Sequence, residues 1–125
     1  MGKPVLVVED DVDLNGIYRE ILELHDFEVV TAVNGEEGVQ KFIDCKPSLV
    51  IMDGDMPILD GYQAFKQIKT IDTSANVVIV TGFSEFEPKS QDAIKEGLIK
   101  VISKPLGVDE LLELARKYSE IKVEE

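Results

Sequence analysis

The chain reads as an α/β domain with one parallel, five-stranded sheet and helices on both faces. Two observations predict this. Five short β-branched or apolar runs alternate strictly with five segments of helical periodicity, and parallel neighbours need such crossover connections. The run Leu49-Val-Ile-Met52 also lacks polar alternation, as expected of a strand buried on both faces.

The elements follow in order. Pro4-Val-Leu-Val-Val8 forms the first strand, stopped by Glu9-Asp10-Asp11. A helix follows, with Leu14, Ile17, Ile21 and Leu24 on one stripe. His25 falls at its end, where a cation is favoured by the helix dipole without any further chemistry. Phe27 to Ala32 is a second strand, Asn34-Gly35 a turn, and Val39, Phe42 and Ile43 mark a second helix ending near Cys45 to Pro47. The third strand, Leu49 to Met52, delivers Asp53 to its carboxyl end. Tyr62, Phe65 and Ile68 give the third helix, and Asn76 to Thr81 the fourth strand. A fourth helix spans Glu87 to Glu96, closed by Gly97 as a cap. Leu98 to Ser103 makes the fifth strand, ending at Lys104-Pro105, and Val108, Leu111, Leu112 and Ala115 set the last helix against the sheet.

Size and charge narrow the function. With 125 residues and 44% hydrophobic content, one domain over 1–125 is expected. No apolar run approaches the roughly 20 residues that span a bilayer and no signal peptide opens the chain, so a cytoplasmic protein is expected. The net charge of −12 argues against direct binding to nucleic acid or an anionic membrane and points to protein partners. Cys45 is the sole cysteine and reads as a small, inert thiol.

Glu9 and Asp10, Asp53, Thr81 and Lys104 end four different strands on one edge of the sheet, and open α/β sheets bind ligands outside the carboxyl ends of strands. Three carboxylates brought together repel unless a cation offsets them or their pKa values rise. Oxygen ligands without histidine or cysteine suit Mg²⁺ or Mn²⁺. A hydroxyl and an ammonium beside them suit a phosphoryl group, with Asp53 as a nucleophile able to form an aspartyl phosphate. The acidic run admits two registers. Counting from Val7-Val8 favours Glu9 and Asp10 as the pair and leaves Asp11 at the helix entry.

Through Val7-Val-Glu-Asp10, Asp53-x-x-Met-Pro-x-x-Asp-Gly61, Val80-Thr-Gly82 and Lys104-Pro105, the chain resembles the receiver domain of two-component response regulators, in particular stand-alone chemotaxis regulators. The resemblance implies a flavodoxin-like (βα)5 fold with strand order 2-1-3-4-5. It implies Asp53 as phosphoacceptor, Asp10 as direct metal ligand, Glu9 as a ligand through water, and the backbone carbonyl of Asp55 as a third protein ligand. Thr81 and Lys104 would bind phosphoryl oxygens, and the Lys104-Pro105 peptide is often cis in the family. The phosphoryl donor would be a sensor histidine kinase or phosphotransfer protein, the output a downstream protein target, and the state a monomer or weak homodimer. The output face is expected on the fourth helix, fifth strand and fifth helix. The usual switch aromatic three residues before the lysine is replaced by Val101. Phe83 or Phe86 in the loop after the fourth strand is expected either to supply the moving aromatic or to serve packing, and bulky Phe83 is also expected to shield the acyl phosphate and slow self-hydrolysis. The chain stops soon after the fifth helix, at Lys122 to Glu125, so a stand-alone or excised receiver without a DNA-binding helix-turn-helix is expected.

Two rivals compete. Asp53-Gly-Asp55 resembles the nucleophile and acid pair of haloacid-dehalogenase-like phosphatases, but those enzymes place their metal-binding acids after the lysine and usually carry a cap domain. A flavodoxin-like binding module, with or without flavin, would need a Ser/Thr/Gly-rich loop where Glu9-Asp10 stand, or the loss of Asp53, Thr81 or Lys104.

Overall fold

The computed structural model describes residues 3–82 and 86–119. Its elements run β1 (Val5–Val8), α1 (Val12–Leu24), β2 (Val29–Ala32), α2 (Gly35–Cys45), β3 (Leu49–Asp53), α3 (Gly61–Ile71), β4 (Val77–Thr81), α4 (Pro88–Lys95), β5 (Lys100–Ser103) and α5 (Val108–Tyr118). All neighbouring strands are parallel, in the order β2-β1-β3-β4-β5. The expected architecture and strand order are both met.

Alternation along the strands splits the core in two. Leu6, Val8, Val50, Met52, Val77, Ile79 and Val101 pack with Phe42, Phe65 and Ile68 from α2 and α3. Val5, Val7, Leu49, Ile51, Val78, Val80 and Ile102 pack on the other face with Tyr18, Leu22, Leu111 and Ala115 from α1 and α5. Burial of β1, β3 and β4 at every position explains their unbroken apolar runs.

Three local expectations need correction. The first is the stripe of α1: Leu14 and Ile21 pack partly buried against the core as expected, but Ile17 and Leu24 are 51% and 73% exposed, and the fully buried residues are Asn15, Tyr18 and Leu22. Counting apolar side chains misplaced this face because an amide occupies it. The second is Asn34-Gly35, which is a helix start instead of a free turn. The Asn34 side chain accepts from the Glu37 N–H, and the Glu37 carboxylate accepts from the Val33 N–H at 2.8 Å, which satisfies donors otherwise orphaned at a helix start. The third is at the helix edges, where Ile43 and Val108 are exposed.

Other local expectations agree. Gly97 follows α4 with φ of +105°, the left-handed value that ends a helix. His25 caps α1, its Nδ1 3.0 Å from the Ile21 carbonyl oxygen, which can only accept. Cys45 is half-buried, and burial raises its thiol pKa, as suits an inert side chain.

Candidate functional site

Strand register builds the site. Val8 lies opposite Met52, so the next residues, Glu9 and Asp53, emerge side by side at the same edge. Asp53 in turn lies opposite Val80, and Thr81 opposite Ser103. The Lys104 N–H then donates to the Thr81 carbonyl at 2.8 Å, which fixes the lysine at the end of β5.

Glu9, Asp53 and Thr81 are buried, whereas Asp10 and Asp55 are exposed. The Lys104 ammonium stands 3.1 Å from Asp53 Oδ1 and 4.0 Å from Glu9 Oε1. The Asp55 N–H donates to the same Asp53 oxygen at 3.1 Å, and the Asp11 N–H to Glu9 Oε2 at 3.1 Å. One carboxylate oxygen each from Glu9, Asp10 and Asp53 lies within 4.8 Å of the others. Like charges about 5 Å apart repel by roughly 3 kcal/mol at an effective dielectric near 20, more than the roughly 1 kcal/mol net of one hydrogen bond. Among the described residues the Lys104 ammonium is the cation paired with this cluster, and one positive charge leaves three carboxylates short.

Burial and the neighbouring charges shift the pKa values of these groups. Burial, reinforced by the charge of Asp53, pushes Glu9 up to about 7 despite the Asp11 N–H and Lys104. Burial and Asp53 raise Asp10 in the same direction. Burial alone would lower the pKa of Lys104, but the hydrogen bond to Asp53 and the charges of Glu9 and Asp53 outweigh it and raise it. The three carboxylates offer the all-oxygen donor set that Mg²⁺ or Mn²⁺ prefers.

Backbone packing brings Asp53 to its place. The Gly54 N–H donates to the Val80 carbonyl at 2.9 Å, and Gly61, the first residue of α3, lies so close that a Cβ there would strike the Asp53 carbonyl oxygen. The glycine after Asp60 is thus required for α3 to start against the end of β3. Asp60 caps that helix in a reciprocal box with Gln63.

Of the expected switch residues, Val101 is buried opposite Ile79 in the β4–β5 register, Pro105 follows a cis peptide, and Phe86 is 77% exposed. Phe83 lies outside the described residues. Sequence reasoning missed two polar features. Asn15 Nδ2 donates to the carbonyls of Glu9 and Ala32 at 3.0 and 2.9 Å. The buried Tyr62 and Ser90 hydroxyls are 2.8 Å apart and join α3 to α4. An amide on an otherwise apolar helix face was the visible signal for the first; the second had none.

Comparison with known proteins agrees with this arrangement. The response regulator receiver domain family matches residues 5–116. The chain is 40% identical over 106 residues to the chemotaxis protein CheY of Halobacterium salinarum, covering 84% of this chain and 87% of that protein. Among solved structures, a CheY-like receiver domain protein from Methanospirillum hungatei superposes with a TM-score of 0.85 at 26% identity, covering 92% and 91% of the two chains. The Borrelia burgdorferi CheX–CheY–BeF3–Mg²⁺ complex contains a chain that matches with a TM-score of 0.83 at 27% identity over 93% of this chain and 89% of that one. None of these likenesses supports the phosphatase or flavin-module readings. With the family matched along most of its length and the fold shared with its solved members, this chain belongs to the response regulator receiver domains of two-component systems.

Proposed function

We propose that Asp53 is the phosphoacceptor of this receiver. The observation that carries the reading is one buried carboxylate at the end of β3, 3.1 Å from the Lys104 ammonium and clustered with Glu9 and Asp10. An Asp53 carboxylate oxygen attacks the phosphorus of a phosphohistidine on a sensor histidine kinase or phosphotransfer protein. The new O–P bond forms as the P–N bond breaks, and the departing imidazole takes up a proton. Lys104 and the Thr81 hydroxyl receive the phosphoryl oxygens, and the Asp55 N–H holds the carboxylate in place. Glu9, Asp10, Asp53 and the Asp55 backbone carbonyl would hold Mg²⁺, or Mn²⁺, which when bound offsets the charge that gathers during transfer.

The protein catalyses only its own phosphorylation and dephosphorylation. The phosphoryl group adds close to two negative charges, and the response shifts the face made by α4, β5 and α5 toward a downstream protein target. Val101 in the usual aromatic position supports a readout different from the common one. Among the described residues no helix is long and apolar enough to cross a membrane, and we place the chain in the cytoplasm as one receiver domain over residues 1–125, a monomer or weak homodimer.

Intact-mass analysis after treatment with a small phosphodonor tests the reading. Wild type gains one phosphoryl group only when Mg²⁺ is present, and Asp53→Asn gains none; an equal gain in that variant refutes it.

A further inference from the structure

Helix α1 packs Leu14 and Ile21 of its apolar stripe only partly buried against the core. It leaves Ile17 and Leu24 of the same stripe exposed at 51% and 73% while burying Asn15 to 7%. Hiding an amide while wetting large aliphatic side chains is unfavourable unless the amide is fully satisfied. A compensating interaction is therefore required, and it lies at the head of the sheet. Asn15 Nδ2 donates to both the Glu9 and Ala32 carbonyls, and two carbonyl partners leave no doubt that the nitrogen faces them. The Ala32 carbonyl also accepts from the Glu9 N–H at 3.0 Å.

Glu9 is thereby held at three places. β2 takes its N–H, Asn15 takes its carbonyl, and the entry to α1 takes its carboxylate through the Asp11 N–H. Asp11 also caps α1 by accepting from the Asp13 and Leu14 N–H groups, so the rotation of the helix and the position of that donor are one setting. Turning α1 to bury Ile17 would withdraw Asn15 from both carbonyls and swing the residues that follow Asp10.

We infer that Asn15 is a positioning residue for the metal-binding acids: by tying the ends of β1 and β2 to α1 it keeps the Glu9 and Asp10 carboxylates at the spacing a divalent cation needs. This rests on the reading of those acids as metal ligands. Groups that orient ligands from behind commonly alter metal affinity about 10- to 100-fold when removed.

Calorimetric titration of the full chain with Mg²⁺ alone tests it. Asn15→Leu keeps bulk and removes both donors; its Kd rises about tenfold or more. Asn15→Ser, which keeps one donor in a smaller side chain, falls between. Asn76→Ala serves as control, because the Asn76 amide donates to the Ser48 carbonyl at the opposite end of the sheet; it leaves Kd unchanged at whatever cost in stability. Wild-type Kd in a folded Asn15→Leu, or in Asn15→Ser should the leucine variant fail to fold, overturns the inference. So does an equal shift in Asn76→Ala. A wild type that binds no Mg²⁺ overturns the metal reading and this inference together.

Discussion

The two halves of the sheet's reactive edge are held in different ways. Around β1, β2 and β3 every helix start is fixed by a side chain: Asp11 caps α1, Asn34 caps α2 and Asp60 caps α3. Around β4 and β5, neither Glu87 nor Gly107 makes a side-chain cap, and α4 is only eight residues long with Ser90 and Ala93 as its buried members. A cap contributes about 1 kcal/mol, so the first half carries roughly 3 kcal/mol of such anchoring that the second lacks. Glu9, Asp10 and Asp53, the metal ligands proposed above, stand on the anchored half. Thr81 and Lys104 border the half without side-chain caps. Under the proposed function, binding and response are thereby assigned to differently anchored halves of one edge.

Gly61→Ala breaks the anchored half most severely. Its Cβ would meet the Asp53 carbonyl oxygen and the Gly54 Cα, main-chain atoms that cannot step aside. Urea denaturation should show a loss of about 3 kcal/mol or more. Gly107→Ala, at the N-cap of α5 with open space around the added carbon, should cost no more than about 1 kcal/mol. Similar losses in both would mean the halves are not anchored differently.

The acid cluster gives the next effect, in pH. A carboxylate whose folded pKa is raised binds more protons folded than unfolded, so stability falls as pH rises between the two values. For Glu9 that window runs from 4.5 to about 7, and Asp10 shifts the same way. Metal-free protein should therefore lose melting temperature across it, with the full penalty present above about 7, and Mg²⁺ should restore more at pH 8 than at pH 5. Asp53→Asn removes the charge of one neighbour and should flatten the profile. An unchanged slope in that variant would remove Asp53 as a cause.

The smallest effect sharpens the comparison on the other side. Tyr62→Phe deletes one hydroxyl from the pair with Ser90, at a cost of about 1 kcal/mol. Hydrogen exchange should quicken in α4 and stay unchanged in α1. Equal acceleration in both helices would show that α4 has no separate looseness to reveal.

Much of this edge is legible in the sequence, for a simple reason. In an alternating parallel architecture the carboxyl ends of all strands share one edge, so Glu9, Asp53, Thr81 and Lys104 are brought together by topology before any contact is known. The Leu49–Met52 run announces burial on both faces because nothing polar interrupts it. Strand order came from resemblance, since periodicity holds no information about which strands pair. The setting of α1 was misjudged because its deciding residue is polar and its partners lie 6 and 17 residues away. Tyr62 and Ser90, 28 residues apart, were invisible for the same reason: each looks ordinary on its own helix.

The central claim is that one carboxylate, Asp53, carries the phosphoryl group. Borohydride reduction of the phosphorylated protein, followed by peptide mass mapping, tests this directly because an aspartyl phosphate is converted to homoserine where it stood. Homoserine is expected at position 53 alone, and only after reaction with Mg²⁺ present. Homoserine at Asp10 or Asp55, or phosphate retained on His25, would contradict it.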